Sequence, residues 1–303
     1  MALLTLSAER IEQARPRELS DALERGLIVF FPQCPIELPE SSELRFMRDE
    51  LPRRIVRKNV SYHPEVDRVS SLKGDPELEL RVRRILATHS DRVLAFLRRV
   101  VPTLSEGCAV GTSSFRPLQE RGRKLAAHAS NELVHVDAGA YGATLGDRIL
   151  RFFVNVSPDE DRVWATKGTF PELYQRYGRA AGIARDGGAR RLEQGLLDRA
   201  RGVLIEGLSR AGVPAARVLN SSPYDRLMRR FHNYMKDTQE FQAAREGHVE
   251  LRFPPFSAWM VLTDMVSHAC ISGQHALVNT FLPRLAACRL PELAPINILR
   301  GST

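Results

Sequence analysis

The apolar period of this chain changes partway along, and that change limits its architecture more than any single motif does. Residues 76–104 carry Leu78, Val82, Ile85, Leu86, Val93, Phe96, Leu97 and Val100 at helical spacing. Asp75-Pro76 supplies an N-cap and a proline at the first helical position, and Pro102 closes the run. Residues 8–26 read as a second helix, followed by a short strand over 27–31. From Ala109 the pattern becomes that of strands: 109–116, 133–137 and 148–156, the last stopped by Ser157-Pro158. Helical stretches follow at 189–211 and 221–241, the second opened by Ser222-Pro223. Strands resume at 249–253, 259–263 and 275–282, and His268 is expected at a strand of its own. Strands in both halves enclosing helical material predict an α+β chain with one antiparallel core. The expected organisation is a mostly helical region over 1–105, a β core over 106–303, and a helical insertion at about 170–245, all in one structural unit.

Composition narrows the class. With 43% hydrophobic and 26% charged residues, disorder, collagen and coiled coil are excluded. The longest apolar runs, such as residues 26–31, fall far short of the ~20 residues a membrane span needs. The first ten residues lack the cationic start of a secretory signal. The four cysteines, Cys34, Cys108, Cys270 and Cys288, are scattered, which predicts reduced thiols in a cytoplasmic protein. A net charge of +8 points to an anionic partner without choosing among nucleic acid, lipid surface and acidic small molecule.

The histidines are more selective. A His-x-Asp/Glu pair followed much later by another His is the pattern of the 2-His-1-carboxylate iron(II) site. One short segment brings an imidazole and a hard carboxylate, a remote strand brings the second imidazole, and three coordination positions stay open. Three such pairs occur, at His63-Pro64-Glu65, His135-Val136-Asp137 and His248-Val249-Glu250. The first lies in a polar stretch that reads as loop. The third has only His268 and His275 after it, too near to leave room for intervening strands. The second follows an apolar run, precedes the Gly139-Ala140-Tyr141-Gly142 loop, and has His268 as a distant partner. His135, Asp137 and His268 are therefore the expected metal ligands, against the plainer reading of a core histidine pair and a surface acid.

With those residues in place the chain resembles the Fe(II)/2-oxoglutarate-dependent dioxygenases, and more narrowly the Kdo (3-deoxy-D-manno-oct-2-ulosonic acid) hydroxylase family. The resemblance runs through Val29-Phe30-Phe31-Pro32, Lys58-Asn59-Val60-Ser61-Tyr62, Thr112-Ser113-Ser114-Phe115-Arg116-Pro117 and His135-Val136-Asp137-Ala138. It continues through residues 148–155, Ser222-Pro223-Tyr224-Asp225, Val266-Ser267-His268-Ala269 and Ser272-Gly273-Gln274. It implies a double-stranded β-helix (jelly-roll) core, with Fe(II), 2-oxoglutarate and O2 as cofactor and co-substrates. It also implies hydroxylation of Kdo at C3 to Ko on a lipid A precursor, with release of succinate and CO2. The implied setting is cytoplasmic, with peripheral contact at the anionic inner face of the inner membrane and no nucleic acid. Arg53-Arg54-Ile55-Val56-Arg57-Lys58 and the 226–236 helix are the candidate basic patches, the helix being the one expected to rest on the leaflet.

One departure matters for the co-substrate. Many relatives anchor its distal carboxylate with an Arg about ten residues past the second His, where this chain has Val278; Arg284 lies beyond the strand. Residues i and i+2 of a strand share a face, so Arg151, Phe153 and Asn155 point one way and Leu150, Phe152 and Val154 the other. If the latter face meets helices, Arg151 and Asn155 enter the barrel, and Arg151 is the expected anchor because a guanidinium meets a carboxylate bidentately. Arg148, on the opposite face, is a poorer candidate, and Arg116 is a weaker one for the same pocket or for the carboxylate of the sugar acid. Three rival readings remain at this level. They are another substrate for the same chemistry, a basic nucleic-acid binder that lacks any recognisable binding motif, and a metal-binding β fold without catalysis.

Overall fold

The computed structural model describes residues 3–139, 144–184, 192 and 222–301. The helix expected over 189–211 lies outside the described residues. An eight-stranded sheet has the order β1 (Leu3–Thr5), β2 (Ile28–Phe31), β9 (Ala258–Leu262), β6 (Leu150–Asn155), β11 (Ala276–Leu282), β5 (Ala109–Arg116), β3 (Val60–His63) and β4 (Arg68–Ser70). A three-stranded sheet has the order β10 (Ala269–Ser272), β7 (Arg162–Thr166) and β8 (Val249–Phe253). Every pairing is antiparallel except β1 with β2. The chain is thus a mixed helix-and-sheet fold built on a large antiparallel sheet.

The first 105 residues hold the helices α1 (Ala8–Gln13), α2 (Pro16–Glu24), α3 (Ser41–Asp49), α4 (Pro76–Val100) and α5 (Pro102–Ser105). The helix expected over 8–26 divides at Ala14-Arg15, because a residue before proline is pushed out of the helical region. Pro102 divides α4 from α5. The Asp75 side chain caps α4 by accepting from the backbone N–H of Leu78 at 3.1 Å. This region also supplies β1 to β4, the outer strands at both edges of the large sheet, so it is less purely helical than expected. In the rest of the chain lie α6 (Phe170–Tyr177), α7 (Pro223–Asp237), α8 (Gln239–Ala243) and α9 (Pro295–Gly301). No described helix is long and apolar enough to cross a membrane.

The two faces of the large sheet differ. On its outer face Phe152 of β6 packs edge-on to Phe96 of α4, with ring centroids 5.8 Å apart, and Phe31 of β2 completes the cluster. On its inner face Phe153 stacks on Trp259 at 5.1 Å, and both meet Trp164 of the small sheet edge-on. Phe253 of β8 stacks on Trp259 at 3.9 Å. Buried aromatic pairs in these geometries add about 0.5–1.5 kcal/mol each beyond their buried area, so the ring cluster is the join between the sheets. The face assignment expected for residues 150–155 holds, with helices on one side and the site on the other.

Candidate metal centre

Residues 133–137 do not form the expected strand. His135 instead makes an isolated antiparallel bridge with His268. The two exchange backbone hydrogen bonds, His135 N–H to the His268 carbonyl at 3.1 Å and the reverse at 2.8 Å. A pair bonded in this way carries its side chains on one face, so the imidazoles are adjacent by construction, with ring centroids 4.7 Å apart. Two residues on, the Asp137 N–H donates to the Thr263 carbonyl at 2.8 Å, which turns the carboxylate into the same space. Asp137 Oδ1 lies 3.8 Å from His135 Nε2 and 4.0 Å from His268 Nε2. One ligand atom from each of the three residues falls within 4.8 Å of the others, and this is the one such cluster among the described residues.

The imidazoles are oriented for coordination. His135 Nδ1 lies 2.7 Å from the Leu133 carbonyl, and His268 Nδ1 lies 3.0 Å from the Val266 carbonyl. A carbonyl only accepts, so each Nδ1 carries the proton and each Nε2 presents its lone pair to the common centre. Trp164 stacks on His268 at 5.2 Å, and His232 meets His135 edge-on at 4.8 Å, which fixes both rings. Burial pushes His268 down to about 4 and His135 well below the ordinary imidazole range, so both are neutral at physiological pH. Burial opposes the charge on Asp137, but Arg151, His268 and His135 together hold its carboxyl well below the usual range. Two neutral imidazoles and one ionised carboxylate match the donor set of a non-haem Fe(II) centre.

The other expected residues separate. Arg151 enters the site, its Nε 2.9 Å from Asp137 Oδ2, on the side away from the imidazoles. Arg116, at the end of β5, makes no ion pair among the described residues, whereas Arg151 does: its guanidinium lies over the Phe153 ring at 5.8 Å, its buried Nε has no hydrogen-bond partner, and Glu120 is the acid that acts on it. Burial, with Arg162 and Arg151 nearby, brings its pKa to about 10. Asn155 is a correction. Although on the inner face, its amide donates to the Glu160 and Phe253 carbonyls at 2.8 and 2.9 Å and accepts from Ser157 N–H at 3.0 Å, which leaves nothing for a cofactor. Arg148 is a second correction, because it lies in a fully buried ion pair with Asp264 at 2.6 Å. Val278 is buried on β11 opposite Phe153, so no cation occupies the family's usual anchor position. His63, which reads as loop, ends β3 and meets Ser70 at 3.0 Å, and among the described residues it joins no cluster able to hold a metal.

Trp164 and Lys236 were not singled out by pattern. Trp164 sits in Val163-Trp164-Ala165, a short β-prone run that the strand count passed over. Lys236 lies at the end of α7 with its side chain turned inward, and nothing in its helical spacing marks it.

A family model described as 3-deoxy-D-manno-oct-2-ulosonic acid (Kdo) hydroxylase matches residues 7–303. Among solved structures, the apo form of the Kdo hydroxylase KdoO, a non-heme Fe(II) alphaketoglutarate-dependent dioxygenase, superposes with a TM-score of 0.80 at 25% identity, covering 100% of this chain and 96% of that one. The same enzyme in complex with alphaketoglutarate and Fe(III) gives 0.81 at 26% identity, with the same coverage. Its complex with succinate and Fe(III) gives 0.80 at 26% identity. No curated protein matches this sequence.

Proposed function

This chain belongs to the Kdo hydroxylase family, and from that premise we propose that it hydroxylates Kdo at C3 to give Ko on a lipid A precursor. It is an Fe(II)/2-oxoglutarate-dependent dioxygenase acting on a Kdo-containing substrate. The bound iron and 2-oxoglutarate supply the oxidising chemistry with O2, releasing succinate and CO2. What this chain's residues contribute is placement, charge and exclusion of water.

In this reading His135, Asp137 and His268 hold the iron. The observation that carries it is the doubly hydrogen-bonded His135–His268 bridge, which brings two unprotonated Nε2 atoms to 3.8 and 4.0 Å from one carboxylate oxygen, so that all three can face a common centre. Arg151 neutralises the far oxygen of that carboxylate and keeps it ionised. Arg116, with its unpartnered Nε, anchors the distal carboxylate of 2-oxoglutarate in place of the missing cation at Val278. The aromatic join between the sheets closes one side of the site to water. Two facing sheets bridged by those rings are the arrangement of a double-stranded β-helix. Residues 1–105 and 106–303 fold as one unit in this reading, because β1 to β4 complete the large sheet.

The peripheral membrane contact is assigned to the 53–57 loop. Val56 is 58% exposed there, among the exposed Arg53, Arg54 and Arg57. The α7 helix, expected in that role, turns Met228, Phe231 and Met235 into the core and offers no exposed apolar side chain.

Anaerobic addition of Fe(II) and 2-oxoglutarate should produce a visible charge-transfer band, and incubation with a Kdo-lipid A precursor in air should add one oxygen to Kdo by mass spectrometry. A band without the added oxygen would keep the metal centre and overturn the substrate.

A further inference from the structure

Two lysines from distant parts of the chain grip the same turn beside the metal centre. Lys58 Nζ donates to the Ala129 carbonyl at 2.9 Å. Lys236 Nζ, on α7, donates to the Ser130 carbonyl at 2.7 Å and the His128 carbonyl at 3.2 Å. Neither has a carboxylate partner among the described ion pairs. An ammonium carries three N–H groups, so Lys58 keeps two donors and Lys236 one. Their surroundings are cationic. Burial lowers Lys58, and Arg116, Arg123 and Arg151 lower it further; Glu120 is the one acid that opposes them. That acid is already held by Arg162, Arg123 and Asn131. Lys236 is buried, and the charges it feels most are Asp137 and Lys58. Both ammonium groups keep N–H donors beyond the turn, and Lys58 keeps them among three arginines, which suits an anionic oxygen as the further acceptor.

We infer that Lys58 and Lys236 together hold the C1 carboxylate of the sugar acid, and so make the site selective for a 2-keto sugar acid over a neutral sugar. The inference rests on the C3-hydroxylation reading above. In Kdo the carboxyl carbon is joined to C3 through C2 alone, so a group that binds the carboxylate must sit next to the metal ligands. Lys236 meets that condition, since it lies one helical turn after His232, whose ring meets His135 edge-on at 4.8 Å and whose Nδ1 lies 2.8 Å from the Val136 carbonyl. Arg116 remains for the co-substrate, which separates the two carboxylate subsites by residue. The shared grip on residues 128–130 sets the spacing of the ammonium groups before substrate arrives, so little ordering is left for the binding step.

The test compares a Kdo glycoside with its C1 methyl ester, using wild type, Lys58→Met and Lys236→Met as full-length Fe(II) proteins. A charge-assisted hydrogen bond lost from a binding site costs about 10- to 100-fold in affinity. Wild type is expected to bind the ester that much more weakly than the acid, and Lys58→Met to raise KM for the acid by a similar factor. Lys58→Met should then discriminate little between acid and ester, while its Fe(II)/2-oxoglutarate absorbance band and its KM for 2-oxoglutarate stay at wild-type values. Lys236→Met removes two turn contacts, so a melting curve accompanies it, and Lys58→Met decides the matter if it unfolds. Lys58→Met with wild-type preference for acid over ester would overturn the inference and leave the function standing. A wild type that hydroxylates neither compound nor the lipid-linked substrate would overturn the function itself.

Discussion

The two faces of strand β6 carry arginines three residues apart in sequence and opposite in purpose. Arg148, just before the strand, is fully buried against Asp264 on the outer side. Arg151 faces inward with its Nε beside the carboxylate of Asp137, a proposed iron ligand. Along the same strand Phe152 joins the helix-packed outer core, while Phe153 joins the ring cluster that walls the site. The outer face is built for stability and the inner face for ligands. Period-2 alternation is the only local difference between them. Substitutions on the two faces should therefore separate loss of function from loss of fold.

The largest effect is expected on the inner face. His268→Ala removes one proposed iron ligand and should abolish both the charge-transfer band and turnover, with far-ultraviolet circular dichroism unchanged. Retention of the band would break the metal-site assignment. On the outer face Arg148→Met leaves Asp264 buried without its partner, which should cost about 3–5 kcal/mol. That loss appears in denaturant midpoints, whereas Fe(II) and 2-oxoglutarate binding at low temperature should survive. If binding falls and stability does not, Arg148 belongs to the site after all.

His89 of α4 sharpens the outer face further. Burial pushes its imidazole down to about 3 from an ordinary 6.5, beside Asn279 of β11. As pH falls below 6.5, the unfolded chain takes the proton before the native one does. Stability that is intact above 6.5 is therefore lost progressively down to about 3, at about 1.4 kcal/mol per pH unit for this group. His89→Leu should flatten that slope in urea titrations at pH 4 to 6.5, and an unchanged slope would place the lost protons elsewhere. Next in size, Arg116→Lys keeps the charge but loses the planar fork, and should raise KM for 2-oxoglutarate about tenfold with less change in kcat. The smallest effect belongs to His63→Ala, expected to stay within about 0.5 kcal/mol and leave iron binding unaltered.

His63 also shows how far sequence reading goes. His63-Pro64-Glu65 and His135-Val136-Asp137 satisfy the same short pattern. The His63 and Glu65 side chains are 28% and 41% exposed and lie 3.7 Å apart on a hairpin, whereas those of His135 and Asp137 are 7% and 14% exposed and share a centre with His268. The existence of a distant third ligand was legible, because His268 stands near a strand start with apolar neighbours. The means of convergence was not. The apolar run predicts a strand over 133–137, and the structure holds that segment instead by one bridge, the Asp137 N–H bond to Thr263, and three side-chain contacts to the carbonyls of Leu133, Val134 and Val136. The expected limits of β5 and β8 agree with the structure, and those of β6, β9 and β11 fall within two residues, because their hydrophobic periods are clean. β3 and β4 carry too few residues to establish a period, and β7, buried at every position, shows no alternation between its faces.

The sequence by itself determined the family, the metal-binding trio as candidates, the division of β6 into two faces, and the anomaly at Val278. These follow from residue type and local spacing, which the chain carries wherever it folds. Tertiary structure alone decided which arginine meets Asp137, that Asn155 and Arg148 are committed elsewhere, and that Lys58 and Lys236 close on one turn. Those outcomes depend on partners outside the local period, from Asp137 14 residues before Arg151 to Asp264 116 residues after Arg148, and a hydrogen bond forms only where the fold brings both atoms within about 3 Å.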